Sequence, residues 1–122
     1  MHQFNRFVSQ YNNACSSNLK YFKFGGYNTF ILKFCTHLYK NGIIKEYTLY
    51  RNNLYVFLKN NSNDRSYPRI HSMLKKKKQI YLRKKRHMNH FFGLILFTNS
   101  KGLQCTSAMN ADVHGILVAY VL

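Results

Sequence analysis

Carboxylates are the scarcest functional groups in this sequence: Glu46, Asp64 and Asp112 are the only three among 122 residues. Two-metal hydrolysis and paired-carboxylate acid–base chemistry need several acidic groups converging on one site. Three acids spread along the chain leave almost no room for that class. Cysteine is equally sparse. Cys15, Cys35 and Cys105 are odd in number and widely spaced, with no C-x-x-C. This disfavours a disulfide framework or a zinc ribbon and fits a reducing compartment. Long apolar runs are missing too. The longest uncharged segment, near His87–Ser100, is too short and too polar to span a bilayer, and Met1–Gln10 lacks the apolar stretch of a signal peptide. Proline occurs once and tryptophan not at all, while Asn, Lys, Phe and Tyr are abundant. That is the bias of an A+T-rich coding sequence, as in many organellar genomes, and it carries no information about fold.

What is present is basic charge and enough apolar residues for a core. Nineteen Lys and Arg give a formal net charge of +16, and 46% of residues are hydrophobic. A disordered basic tail is therefore not the expectation. A domain so charged repels itself until a polyanion neutralises it.

Periodicity orders the chain. Phe4, Phe7, Val8 and Tyr11 form one helical face over His2–Tyr11, and Asn12–Asn18 reads as a loop. Leu19–Phe24 alternates as a strand that stops at Gly25-Gly26. Phe30, Ile31, Phe34, Cys35 and Leu38 make a second helix, capped by Asn28 or Thr29 and ended by Lys40-Asn41-Gly42. Ile43–Tyr50 and Leu54–Lys59 are strands joined by a tight hairpin, because Asn tolerates positive φ. Asn60–Pro68 is the best linker. Beyond it, after Arg69–Leu74, come short strands at Ile80–Leu82, Phe91–Phe97 and Gly115–Leu122, with a short helix over Cys105–Asp112. The expected fold is α+β in two small subdomains. Residues 1–60 read helix–strand–helix–strand–strand, 61–68 link, and 69–122 are mainly antiparallel β with one short helix.

Two constellations suggest nucleic-acid binding. The first holds eight Lys or Arg in twelve residues: Lys75, Lys76, Lys77, Lys78, then Arg83, Lys84, Lys85 and Arg86 around a short apolar strand. A solvated charged face is the ordinary reading of such a run. With so few acids to neutralise it, phosphate binding is favoured. Lys20 and Lys23 add to the same electrostatics, and Tyr81 is the aromatic most open to stacking on a base. Most of the other aromatics, Phe30, Phe34 and Phe97 among them, read as core. The second constellation is the polar turn Thr98-Asn99-Ser100-Lys101-Gly102, whose short hydroxyl and amide groups suit close contact with sugar and phosphate oxygens in the shallow minor groove of RNA. By contrast, Cys35-x-His37 and His87-x-x-His90 have no second pair at metal-binding distance. Cys35 lies on an apolar stripe, and no orienting group identifies a nucleophile. No cofactor, metal, catalytic residue or small-molecule substrate is expected.

At this point the sequence resembles the bacterial-type ribosomal small-subunit protein eight, in its mitochondrial version. The family carries an apolar strand with Gly, a Ser-Thr-Ser-Lys-Gly turn, a short helix and a Gly-Gly-Glu strand closing in Tyr-Val. The matching stretch is Gly93–Phe97, Thr98–Gly102, then His114–Leu122 with Tyr120-Val121. Leu38–Tyr47 is similar to the family's helix end, Gly and following strand, and the opening helix with Arg6 is similar to its first helix. Thr98-Asn99 stands for Ser-Thr, Ile116 for the usual Glu, and Lys75–Lys78 for an Arg-Pro-Gly turn. The resemblance implies a two-domain α+β protein that binds the central domain of small-subunit rRNA, with the C-terminal turn as its main RNA-reading element. It also implies neighbouring ribosomal proteins as partners. Family-like sequence begins near Phe4, which leaves no room for a cleavable transit peptide of normal length, so either a presequence was already removed or the gene is organellar. The A+T-type bias favours an organelle-encoded protein of the mitochondrial matrix, with a bacterial or plastid ribosome as the alternative. The residues alone leave two alternatives open: another basic RNA-binding module, or a peripheral protein on anionic membrane, which would need an amphipathic helix at Lys75–Arg86. A small cysteine-dependent enzyme is a further rival.

Overall fold

The apolar stripe at Phe4, Phe7, Val8 and Tyr11 is buried, and Ala14 and Cys15 prolong it, so the first helix, α1, runs His2–Ser16. The expected loop after Tyr11 is thus helical through Ser16, because two small apolar residues keep the buried face going among exposed polar ones. Asn18 ends the helix in a left-handed conformation at φ 56°. The Leu19 and Asn18 amides donate to the Ala14 and Cys15 carbonyls, which satisfies the last turn.

The computed structural model describes residues 2–59, 68–74, 81–82, 94–106 and 115–121. The chain is α+β and divides into two compact units, His2–Arg69 and Ile70–Leu122. Of the expected linker 61–68 only Pro68 is described, and there the Tyr11 hydroxyl donates a 3.0 Å hydrogen bond to its carbonyl.

In the first unit, β1 (Tyr21–Gly25), α2 (Thr29–Lys40), β2 (Ile44–Tyr50) and β3 (Asn53–Leu58) follow α1 in the expected order. Asn28 is the N-cap of α2, its side chain accepting from the Ile31 amide at 2.9 Å. Gly42, at φ 73°, closes the other end. The three strands pair antiparallel in the order β1-β3-β2. Phe22 and Phe24 from β1 and Leu54, Val56 and Leu58 from β3 are buried. Phe7 meets Phe24 edge-to-face at 5.3 Å, and Phe4 meets Phe34 at 4.9 Å, so aromatic rings knit α1 to the sheet and the two helices to each other. The β2–β3 turn is Arg51-Asn52, both at positive φ, the twist that a two-residue hairpin demands.

The second unit is an antiparallel sheet of β4 (Ile70–Ser72), β5 (Tyr81–Leu82), β6 (Leu94–Asn99), β7 (Gly102–Thr106) and β8 (Gly115–Val121). Its order is β4-β8-β6-β7, and β5 also pairs with β8. Since β6 occupies one edge of β8, both β4 and β5 share the other. Ile95, Phe97 and Leu117 form a buried cluster against Met73 and Tyr120. The expected helix over Cys105–Asp112 does not begin where the sequence suggested. Cys105 and Thr106 belong to β7, paired with Leu96 and Ile95. Gly102 at φ 98° reverses the chain into a hairpin, which positions 103–106 to complete the ladder of β6. Residues 107–112 lie outside the described residues.

Candidate nucleic-acid interface

The turn that the sequence singles out is the tip of the β6–β7 hairpin. Thr98 and Asn99 are its last strand residues, Ser100 and Lys101 form the reversal, and Asn99 pairs with Gly102. Neither Ser100 nor Lys101 takes a positive φ, so the reversal falls on Gly102. The Asn99 side-chain oxygen accepts from the Lys101 amide at 2.9 Å. Asn99 therefore braces the tip, a role the sequence did not distinguish from ligand contact. Ser100 and Lys101 are exposed, and Thr98 and Asn99 are half-buried. Thus a hydroxyl and an ammonium are offered to solvent on a turn whose backbone is already fixed. Such preorganisation lowers the ordering cost of a contact.

The register extends the site by one row. Thr98 pairs with Ile116, and Ile116 pairs on its other side with Tyr81. The backbones of Thr98 and Tyr81 thus flank the same β8 residue, two strand spacings apart, or about 10 Å. Lys75, Lys76, Lys77, Lys78, Arg83, Lys84, Lys85 and Arg86 lie outside the described residues. Tyr81–Leu82 between them is the strand β5. Lys20 and Lys23 are exposed and belong to the first unit, at and before β1.

No protein-family model matches the sequence, and no curated protein matches it.

The remaining candidates resolve on burial. Phe34 and Phe97 are core, as expected, and Phe30 is half-buried. Cys35 is fully buried, and desolvation pushes its thiol up to about 12. Burial raises Cys15 as well, against a hydrogen bond with Tyr11 and the charge of Arg69, which both lower it. Neither thiol is poised as a nucleophile, which needs the thiolate. Among the described residues no three His, Cys, Asp or Glu gather as metal ligands, and no helix is long and apolar enough to cross a membrane. Arg6 is held structurally: its guanidinium lies 4.8 Å from the centre of the Phe24 ring and donates to the Gly25 carbonyl.

One further group emerges from the strand register. Tyr21, Tyr50, Tyr55 and Phe57 lie on the face of the first sheet opposite its buried residues. The strict alternation Tyr21-Phe22-Lys23-Phe24 was the available signal, since period two places Tyr21 and Lys23 together and away from the core.

Proposed function

We propose that this chain is a structural constituent of a small ribosomal subunit, binding the central domain of small-subunit rRNA and supporting its assembly, in the mitochondrion and encoded there. The observation that carries the reading is the braced tip of the β6–β7 hairpin. It presents Ser100 and Lys101 on a fixed backbone in the stretch where the sequence resembles the ribosomal family. Charge supports it independently, since +16 calls for a polyanionic partner. The strand pairing of Gly115–Val121 with β6 supports it too, because Tyr120 and Val121 are the other part of the resemblance.

The mechanism is binding, and it separates into two parts. Lysines and arginines attract phosphate anywhere along an RNA and supply affinity without discrimination. The hairpin tip contributes selectivity, because a rigid hydroxyl either meets a sugar or phosphate oxygen or leaves a desolvated group unpaired. Neighbouring ribosomal proteins complete the set of partners in this reading.

The test compares Ser100→Ala with the parent chain on a central-domain rRNA fragment and on an unrelated RNA duplex, at one salt concentration. The reading expects a loss of about 1–3 kcal/mol on the rRNA alone. Equal losses on both RNAs, or none on either, would leave the turn as scaffold.

A further inference from the structure

An antiparallel sheet with helices on one face normally turns polar side chains to water on the other. In the first unit such residues, Lys23, Glu46 and Thr48, share that face with a row of aromatic rings. Tyr21 of β1 is paired with Phe57 of β3, their ring centres 5.6 Å apart. Tyr21 also lies 6.2 Å from Tyr55, and Tyr55 lies 6.4 Å from Tyr50 of β2. Phe57, Tyr21, Tyr55 and Tyr50 therefore form a continuous ladder of rings across all three strands. Tyr21 is 52% exposed and Tyr50 57%. The buried core of this unit lies on the opposite face of the sheet.

Cations are set among the rings. Lys23 is the direct register partner of Tyr55. The Arg51 guanidinium lies 5.3 Å from the centre of the Tyr50 ring, carried on the positive-φ turn. The single carboxylate here, Glu46, pairs with Phe57 at the far end of the ladder.

We propose that this open sheet face is a base-stacking platform for a single-stranded segment of RNA. Aromatic rings bind unpaired bases through their π-faces, and Lys and Arg beside them meet the phosphates that link those bases. A duplex cannot use the platform, because its bases are already stacked inside the helix. A purely apolar protein surface would leave Lys23 and Arg51 without counter-charge. The platform rests on the RNA-binding reading above, but it belongs to the other unit and uses none of the hairpin residues.

The experiment measures binding of the full chain to an end-labelled, unstructured oligouridylate and to an RNA duplex. Tyr21→Ala with Tyr55→Ala is expected to weaken the single strand by roughly 10-fold to 100-fold and the duplex less than 2-fold, by the known range of base–aromatic stacking. Tyr21→Phe with Tyr55→Phe keeps the rings and is expected to keep the binding. Tyr50→Ala, at an exposed hairpin end, is the second variant should the double change lower the unfolding midpoint; it too is expected to weaken only the single strand. Unchanged affinities for both RNAs would overturn the platform and leave the face to a protein partner. Equal losses on both, with folding intact, would overturn it as well. A parent chain that binds the duplex but not the oligouridylate removes the platform and leaves the hairpin reading standing. One that binds neither removes both.

Discussion

Gly115 and Thr98 approach so closely that a Cβ on Gly115 would lie 2.4 Å from the Thr98 carbonyl oxygen. The backbone of β8 is thereby seated against the end of β6, one residue before the hairpin tip begins. Backbone cannot yield as the end of a flexible side chain can. Gly115→Ala is accordingly expected to destabilise the protein by about 1–3 kcal/mol, as overpacking does. It should also weaken binding of the rRNA fragment, because the displaced end of β6 leads into Ser100 and Lys101. Urea unfolding and fragment binding check the two halves of this prediction. An unchanged midpoint would mean that the strands separate without cost.

Gly102 fails by a different route. Nothing lies within 4 Å of a Cβ placed there, yet its φ is 98°. Gly102→Ala should cost about 1–2 kcal/mol through backbone strain alone, and Gly102→Asn less, since Asn enters the left-handed region more readily. Equal stability of the two variants would contradict this.

The thiols offer a pH test. Burial raises Cys35 from 9.0 to about 12. The folded state therefore keeps a proton that the unfolded state releases. That contribution to stability is complete below about pH 9 and is lost as pH rises towards about 12. Cys15 shifts in the same direction. Cys35→Ala should unfold with a weaker alkaline dependence than the parent, although it is less stable at neutral pH. Mass mapping after brief alkylation of the native protein should find half-buried Cys105 modified first, with Cys15 and Cys35 modified only on unfolding. Rapid native labelling of Cys35 would revive the cysteine-enzyme reading.

Salt separates affinity from selectivity. For contact with about five phosphates the log–log slope of RNA binding against salt should be near −4. Lys76→Ala with Lys77→Ala should flatten it by about two and weaken all RNAs alike. A slope near zero in the parent chain would sink the electrostatic account of Lys75–Arg86.

Local chemistry explains which parts of the structure were legible in the sequence. Asn28, Gly42 and the Arg51-Asn52 turn act through short-range conformational preference, so their roles can be read from a few residues. The α1 extension was harder, since Asn12 and Asn13 suggest a loop and only the spacing of Ala14 and Cys15 argues otherwise. The helix expected over Cys105–Asp112 rests on Thr106 and Ser107, residue types that start helices. Pairing with β6, a contact between separate segments, decides the matter for Cys105 and Thr106. At the candidate site, Ser100 and Lys101 were legible as an exposed turn, whereas the bracing role of Asn99 depends on a hydrogen bond that spacing does not reveal. The aromatic ladder is hidden from the sequence for a related reason: only the register between separate strands places its four rings together on the open face.

The most direct test of the central claim is to crosslink the protein to RNA in its native extract and sequence what is attached. The account predicts reads concentrated in the central domain of small-subunit rRNA, with crosslinked peptides including the Ser100–Lys101 turn. Reads distributed over messenger and transfer RNAs according to their abundance, or no attached RNA, would contradict it.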